Sequence, residues 1–240
     1  MLPRRKIELM PSLTGIKAIS FDADGTLWDF QQVMRHSLGK VMEELEQLDL
    51  QAAAALDINK MIAIRNRVAE EMKGKTTNFE EIRFQAFKRT LEEIGRPDEK
   101  LAHHLNEVYY RHRFEDTEPY EDVLPTLQTL RERYNLGLLS NGNSYPERCG
   151  FEGIFHSVVF SQDHNVEKPD PEIFRIGLRE LGCSEAELLH VGDSLENDVE
   201  GAHNASIRCA WLNRDHLENN TNITPDYEIS SLTELLYMLP

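Results

Sequence analysis

The chain has 240 residues, a formal net charge of −16 and 40% hydrophobic residues. That charge argues against nucleic acid or an anionic membrane as a partner, because both call for a basic surface. It leaves room for a small anionic substrate met by a local cation, and the apolar share suffices for one large core or two small ones.

Taken in order, Met1 to Met10 carries Arg4, Arg5 and Lys6 with no apolar stretch behind them, and reads as a loose tail and not a secretory signal. Ile16 to Phe21 is an apolar run with the look of a buried strand. It ends in Asp22-Ala23-Asp24-Gly25-Thr26-Leu27, two acids one residue apart beside a glycine that lets the backbone turn and approach a ligand. From Gln31 to Phe114 the pattern is helical. Val33, Leu38, Val41, Met42 and Leu45 recur at helical spacings with charges between them, and Ile58 to Met72 repeats the style. Gly74 to Asn78 interrupts it with turn residues, Glu80 to Ile94 resumes it, and Leu101 to Tyr110 forms another helix.

From Pro119 the style changes. A helix is expected over Asp122 to Tyr134, then strands at Leu136 to Leu139, Ser157 to Phe160, Leu188 to Val191, Arg208 to Leu212 and Tyr227 to Ile229. Asp170-Pro171 opens a helix to Gly182, another helix runs through Val199 and Ala202, and Ser231 caps the last one. Strands alternating with helices imply an α/β fold: a parallel, Rossmann-like sheet with helices on both faces. There is no internal repeat or low-complexity segment. No run of about 18 apolar residues offers a membrane span. Cys149, Cys183 and Cys209 are widely spaced and odd in number, as expected of free thiols in a reducing, cytoplasmic setting.

The polar residues fall at strand ends. Asp22 and Asp24 end the first strand, Ser140 and Asn141 the second, Asp193 follows another, and Lys168 precedes a helix. A polar turn explains any one of these and does not explain all of them on one sheet edge. The set Asp22-x-Asp24-Gly25-Thr26, Leu139-Ser140-Asn141-Gly142, Lys168-Pro169 and Gly192-Asp193-Ser194-x-x-x-Asp198 resembles the motifs of the haloacid dehalogenase superfamily, in that family's order. The resemblance runs from about Lys17 to the C-terminus. It implies a Rossmann-like core at 1–30 and 115–240, and a helical cap of the C1 class at 31–114. Ser206 is a departure, since relatives often have glycine in that turn.

The resemblance also implies roles. Asp22 is the nucleophile and Asp24 the acid that protonates the leaving alcohol and then activates water. Both chemistries suit carboxylates so placed. Ser140, Asn141 and Lys168 bind phosphate, and Lys168 also neutralises Asp22. Acids gathered at one rim repel and call for a cation, and oxygen ligands suit Mg²⁺. Its implied ligands are the Asp22 carboxylate, the Asp24 backbone carbonyl and Asp193, with Asp198 holding a bound water or reaching the metal itself. The implied activity is Mg²⁺-dependent hydrolysis of a small phosphomonoester. The alternatives are a mutase of the β-phosphoglucomutase type, a 2-haloacid dehalogenase, which carries a different residue at the Asp24 position, and a non-catalytic phosphate-binding module. For the cap, Arg83 is the candidate substrate contact, set between Ile82 and Phe84. Arg65, Arg67, Lys88 and Arg89 read as solvated faces. Neither the particular substrate nor the oligomeric state is legible.

Overall fold

The structure, a computed structural model, describes residues 13–240. The expected N-terminal tail lies outside the described residues. Strands β1 (Ala18–Phe21), β2 (Asn135–Ser140), β3 (Ser157–Phe160), β4 (Leu188–Gly192), β5 (Arg208–Leu212) and β6 (Tyr227–Ile229) form one sheet in the order β3-β2-β1-β4-β5-β6. Every pairing is parallel. The strands fall where the apolar runs place them, although β1 starts two residues after Ile16.

Five helices follow β1: α1 (Phe30–Leu48), α2 (Leu50–Ala54), α3 (Ile58–Met72), α4 (Phe79–Glu93) and α5 (Glu99–Glu115). Each starts on an acid or amide whose side chain accepts a free first-turn N–H: Asp29, Asp49, Asp57, Asn78 and Asp98. They bury their own apolar cluster, with Leu38, Val41 and Leu45 of α1 against Phe87, Leu91, Leu105 and Tyr109. The other helices are α6 (Val123–Leu130), α7 (Ser161–His164), α8 (Pro171–Leu181), α9 (Gly201–Asn204) and α10 (Leu235–Met238).

Alternation along the strands feeds two cores. Ile19, Phe21, Leu189, Val191, Ala210 and Leu212 pack with α6 and α10. Ala18, Leu188, Cys209 and Trp211 face the other way, onto α8 and α9. The three cysteines are free thiols, two buried and one half-buried. Among the described residues, no helix is long and apolar enough to cross a membrane.

Two helices differ from expectation. α6 stops at Leu130, not Tyr134, because the chain must turn into β2, where the Asn135 N–H already donates to the Lys17 carbonyl at 3.0 Å. The helix expected after β4 opens as a widened π segment, Leu195–Glu200. The Ser194 carbonyl accepts from both Asp198 N at 2.9 Å and Val199 N at 3.2 Å. This widened turn brings Asp198 back to the end of β4. Ser206 has φ of 60°, the left-handed conformation that glycine favours.

Phe174 is fully buried between α8 and the sheet, edge-on to His190 at 5.0 Å. Phe174→Ala is expected to cost about 3–5 kcal/mol. Chemical denaturation followed by the fluorescence of Trp28 and Trp211, both buried, should show a lower midpoint. An unchanged midpoint would contradict this packing.

Candidate active site

Strand order reverses at β1, whose neighbours β2 and β4 lead to opposite edges, so a crevice opens beyond the carboxyl ends of these strands. Phe21 is level with Leu138 of β2 and Val191 of β4. The residues that come next therefore arrive together: Asp22 and Asp24, then Ser140 and Asn141, then Asp193 and Asp198. With Lys168 from the loop before α8 and Arg83 from α4, they line one cavity of about 280 Å³.

The Lys168 ammonium is buried, 2.5 Å from Asp22 Oδ1 and 2.6 Å from Asp198 Oδ1. Burial opposes its charge, but Asp198 and Asp22 outweigh burial and raise its pKa. Burial likewise opposes the charge of Asp198, yet Lys168 and His190 hold its carboxyl well below the usual range. Asp22 shifts the opposite way: burial, with Asp198 and Asp193 adding repulsion, pushes it well up despite Lys168. Asp193 opens to the cavity, yet the surrounding protein, and then the charge of Asp198, push it up to about 6.

The carboxylates of Asp22, Asp193 and Asp198 offer oxygens within 4.8 Å of one another. One ammonium serves all of them. An all-oxygen donor set with surplus negative charge, two of whose acids are pushed up, fits a hard divalent cation such as Mg²⁺. The backbone is shaped to let the acids in: a Cβ on Gly192 would overlap the Asp198 carboxyl, and one on Gly25 would overlap that of Asp193.

Asp24 is held by groups that pattern reading misses. Its Oδ1 accepts from Trp28 Nε1 at 2.7 Å, Arg113 Nη2 at 2.9 Å and Ser144 Oγ at 3.2 Å. Its Oδ2 lies against Gly142 and accepts no hydrogen bond from the described residues. Arg113 sits in the last turn of α5, 3% exposed; burial opposes its charge, but Asp24 holds it protonated. It is 89 residues from Asp24 in the chain, so no local spacing could announce the pair. Trp28, four residues on, gives a weak local signal, an indole N–H within reach of an acid in the same turn. His190 is the other unforeseen member. Wholly buried, it reaches Ser20 Oγ through Nδ1 at 2.8 Å and Asp198 Oδ1 through Nε2 at 3.2 Å. Burial lowers its pKa.

Two residues behave differently from expectation. The side chain of Asn141 is engaged within the protein: its Nδ2 donates to the Lys168 carbonyl at 3.0 Å and its Oδ1 accepts from Lys168 N at 2.7 Å. Any anion contact from Asn141 comes from its main chain. Arg65 is not a solvated-face residue: it is half-buried and lines the cavity beside Arg83. Helical position alone could not place it, because the cavity lies between α3 and the sheet. Arg67 and Arg89 are surface residues paired with Glu93 and Glu71.

The family profile for haloacid dehalogenase-like hydrolases matches residues 16–206. The chain belongs to that family. It is similar to a glyceraldehyde 3-phosphate phosphatase of Methanopyrus kandleri, 31% identical over 232 residues that cover 92% of this chain and 96% of the relative. A human N-acylneuraminate-9-phosphatase is 27% identical over 238 residues, 95% of each chain. Among solved structures, a 2-haloacid dehalogenase from Pseudomonas syringae pv. tomato superposes with a TM-score of 0.81 at 27% identity, covering 93% of this chain and 97% of that one. This haloacid dehalogenase-like hydrolase is thus an enzyme, and the curated relatives named here are phosphatases.

Removing Lys168 leaves Asp22 and Asp198 facing each other uncompensated. Lys168→Met is expected to destabilise the metal-free protein by about 3–5 kcal/mol, the usual cost of breaking a buried ion pair. Adding Asp22→Asn to that variant should restore part of the loss, because one of the repelling charges is gone. Urea unfolding of wild type, single and double variants tests this. Equal midpoints for wild type and Lys168→Met would contradict the arrangement.

Proposed function

We propose that this hydrolase is a Mg²⁺-dependent phosphatase that cleaves a small phosphomonoester through an aspartyl phosphate on Asp22. The observation that carries the reading is the pair of unequal acids after β1: Asp22 bound to Lys168, and Asp24 with one oxygen tied up and the other unbonded. As a phosphoric monoester hydrolase it needs a nucleophile, a proton carrier and a charge clamp, and each has a residue to match.

A carboxylate oxygen of Asp22 attacks phosphorus as the bond to the leaving oxygen breaks. Asp24 Oδ2 delivers a proton to that oxygen, so the product leaves as an alcohol. Asp24 then takes a proton from water, which attacks phosphorus and releases inorganic phosphate and free Asp22. Lys168 offsets charge on the phosphoryl oxygens, and Ser140 Oγ, now accepting from Gly142 N at 3.0 Å, can turn its hydroxyl to them. The main chain of Asn141 adds a donor. Asp22, Asp193 and the Asp24 carbonyl would hold Mg²⁺, with Asp198 holding a bound water or reaching the ion, and the metal would supply charge stabilisation at the phosphoryl group. The helices between Phe30 and Glu115 act as a cap over this chemistry, on a core made by the rest of the chain.

The likeness to a 2-haloacid dehalogenase favours a second reading, release of halide from a haloacid by the same nucleophile. Asp24 speaks against it, since that reaction needs no proton for the leaving group. A panel of sugar, nucleotide and small organic phosphates with Mg²⁺, beside 2-haloacids, tests the two. Inorganic phosphate is the expected product; halide release alone would overturn the proposal, and an isomerised phosphate would indicate a mutase.

Asp22→Asn should abolish phosphate release while melting as wild type does, because the amide is nearly isosteric and a poor nucleophile. Residual activity within about tenfold, ~1.4 kcal/mol in the barrier, would remove Asp22 from that role. Excess EDTA should stop turnover and Mg²⁺ should restore it, with Ca²⁺ a poor substitute because its larger, looser coordination misplaces the phosphate. Full activity in EDTA would remove the metal from the mechanism.

A further inference from the structure

Across the cavity from the acids stands a wall from the helical insert: Arg65 of α3, Phe79, Ile82 and Arg83 of α4, and Tyr109 and Tyr110 of α5. The cations near the acids are matched, Lys168 to Asp22 and Asp198, and Arg113 to Asp24. Arg65 and Arg83 are not: among the described residues, neither guanidinium makes an ion pair with a carboxylate. Arg83 is only 6% exposed. It uses one N–H on Tyr109 Oη at 3.0 Å, with its Cζ 4.2 Å from the centroid of the same ring, so its direction is set. Arg65 donates only to Asn66 Oδ1, at 3.1 Å on its own helix. Burial, and then the charge of Arg83, lower the pKa of Arg65, as expected of two like charges sharing a partly dry space.

A second observation points the same way from the core side. Asn143, in the loop after β2, lines the cavity, is 7% exposed, and has its buried amide Nδ2 near the Tyr110 hydroxyl without a well-formed hydrogen bond. Donors and positive charge thus accumulate on this side with only neutral acceptors, Tyr109 Oη and Asn66 Oδ1, and no carboxylate paired with either guanidinium, so a ligand that brings a negative group would be favoured there. Guanidinium forks match the planar carboxylate and the phosphate. Phe79 and Ile82 between them offer an apolar surface for a short carbon skeleton.

We propose that Arg65 and Arg83, with Asn143, form a second anion subsite, so that the substrate is a small phosphomonoester carrying a further negative group, a carboxylate or a second phosphate, on its leaving portion. This rests on the phosphatase reading. The subsite takes the end of the substrate that is not transferred, and it selects among phosphate esters by charge.

Matched compounds test it: glycerol 3-phosphate, 3-phosphoglycerate with a carboxylate at the far end, and propane-1,3-diol bisphosphate with a second phosphate there, beside p-nitrophenyl phosphate as a reference neutral in its leaving portion. Wild type should favour one of the two doubly anionic compounds over glycerol 3-phosphate by tenfold or more in kcat/KM, and which one it favours identifies the anion. Arg83→Gln and, separately, Arg65→Gln should remove most of that preference, chiefly through KM, and Arg83→Lys should recover part of it. Because Arg65 is half-exposed, its variant keeps the test intact if Arg83→Gln melts early. Equal losses on all four compounds would overturn the subsite and assign the arginines to the transferred phosphate or to closure of the insert. Wild type that hydrolyses the neutral reference but shows no preference for a doubly anionic compound overturns the subsite alone. No phosphate release from any of them overturns the phosphatase reading and the subsite with it.

Discussion

The site depends on one ammonium. Lys168 lies buried between Asp22 and Asp198, 2.5 and 2.6 Å from their oxygens, and without it two carboxylates would share a dry space. Much of the neighbouring structure keeps it there. The Asn141 amide grips the main chain of Lys168 through both its carbonyl and its N–H. Ser161 Oγ in turn donates to the Asn141 carbonyl at 3.0 Å, which ties the start of α7 to the end of β2. On the other side His190 and the Ser194 N–H fix Asp198, and Gly192 leaves its carboxyl the room it needs. The lysine is a neutraliser of fixed position, and the loops around it are shaped by that duty.

One positive charge among several acids leaves Asp198 the favoured partner and pushes Asp22 and Asp193 up. The imbalance separates roles. Asp198, held ionised by Lys168 and His190, is a structural anion that positions others. Asp193 stands open to the cavity with Thr26 Oγ1 donating to it at 3.2 Å, and is the acid most free to meet an added cation. The same surplus of negative charge is what a divalent ion would offset, in keeping with the proposed role of these acids.

Much of this was legible before any coordinates. The apolar runs mark every strand, and because parallel strands of similar length end level, acids that follow them must converge. That is why Asp22, Asp24, Ser140, Lys168 and Asp193 could be grouped from spacing and family resemblance alone. What stayed hidden depends on side-chain direction across long loops. Arg113 and Asp24 meet at a separation of 89 residues, and the sequence could not show that the Asn141 amide closes on the Lys168 main chain. Arg65 read as a surface residue because helical periodicity reports which face is polar, and a polar face can look onto a cavity as well as onto bulk water. The π turn after β4 was hidden for a related reason: it serves the placement of Asp198 and has no mark in the apolar pattern.

The Arg113–Asp24 pair gives the insert a direct hold on the chemistry. Arg113 belongs to the last turn of α5, yet its guanidinium leaves the insert to bind an acid of the core, with Ser144 Oγ accepting from the same nitrogen at 2.5 Å. Oδ1 of Asp24 is therefore defined jointly by Trp28 on the core and by Arg113 on the insert. If α5 withdrew from the sheet, Asp24 would lose its strongest donor and a buried guanidinium would lose its counter-charge, a costly exchange on both sides. The insert and the acid thus share one ion pair. The position of the helices over the cavity and the placement of the Asp24 carboxylate are set by the same contact, so under the proposed phosphatase chemistry the insert docked over a substrate would also be the state in which the proton carrier is in place.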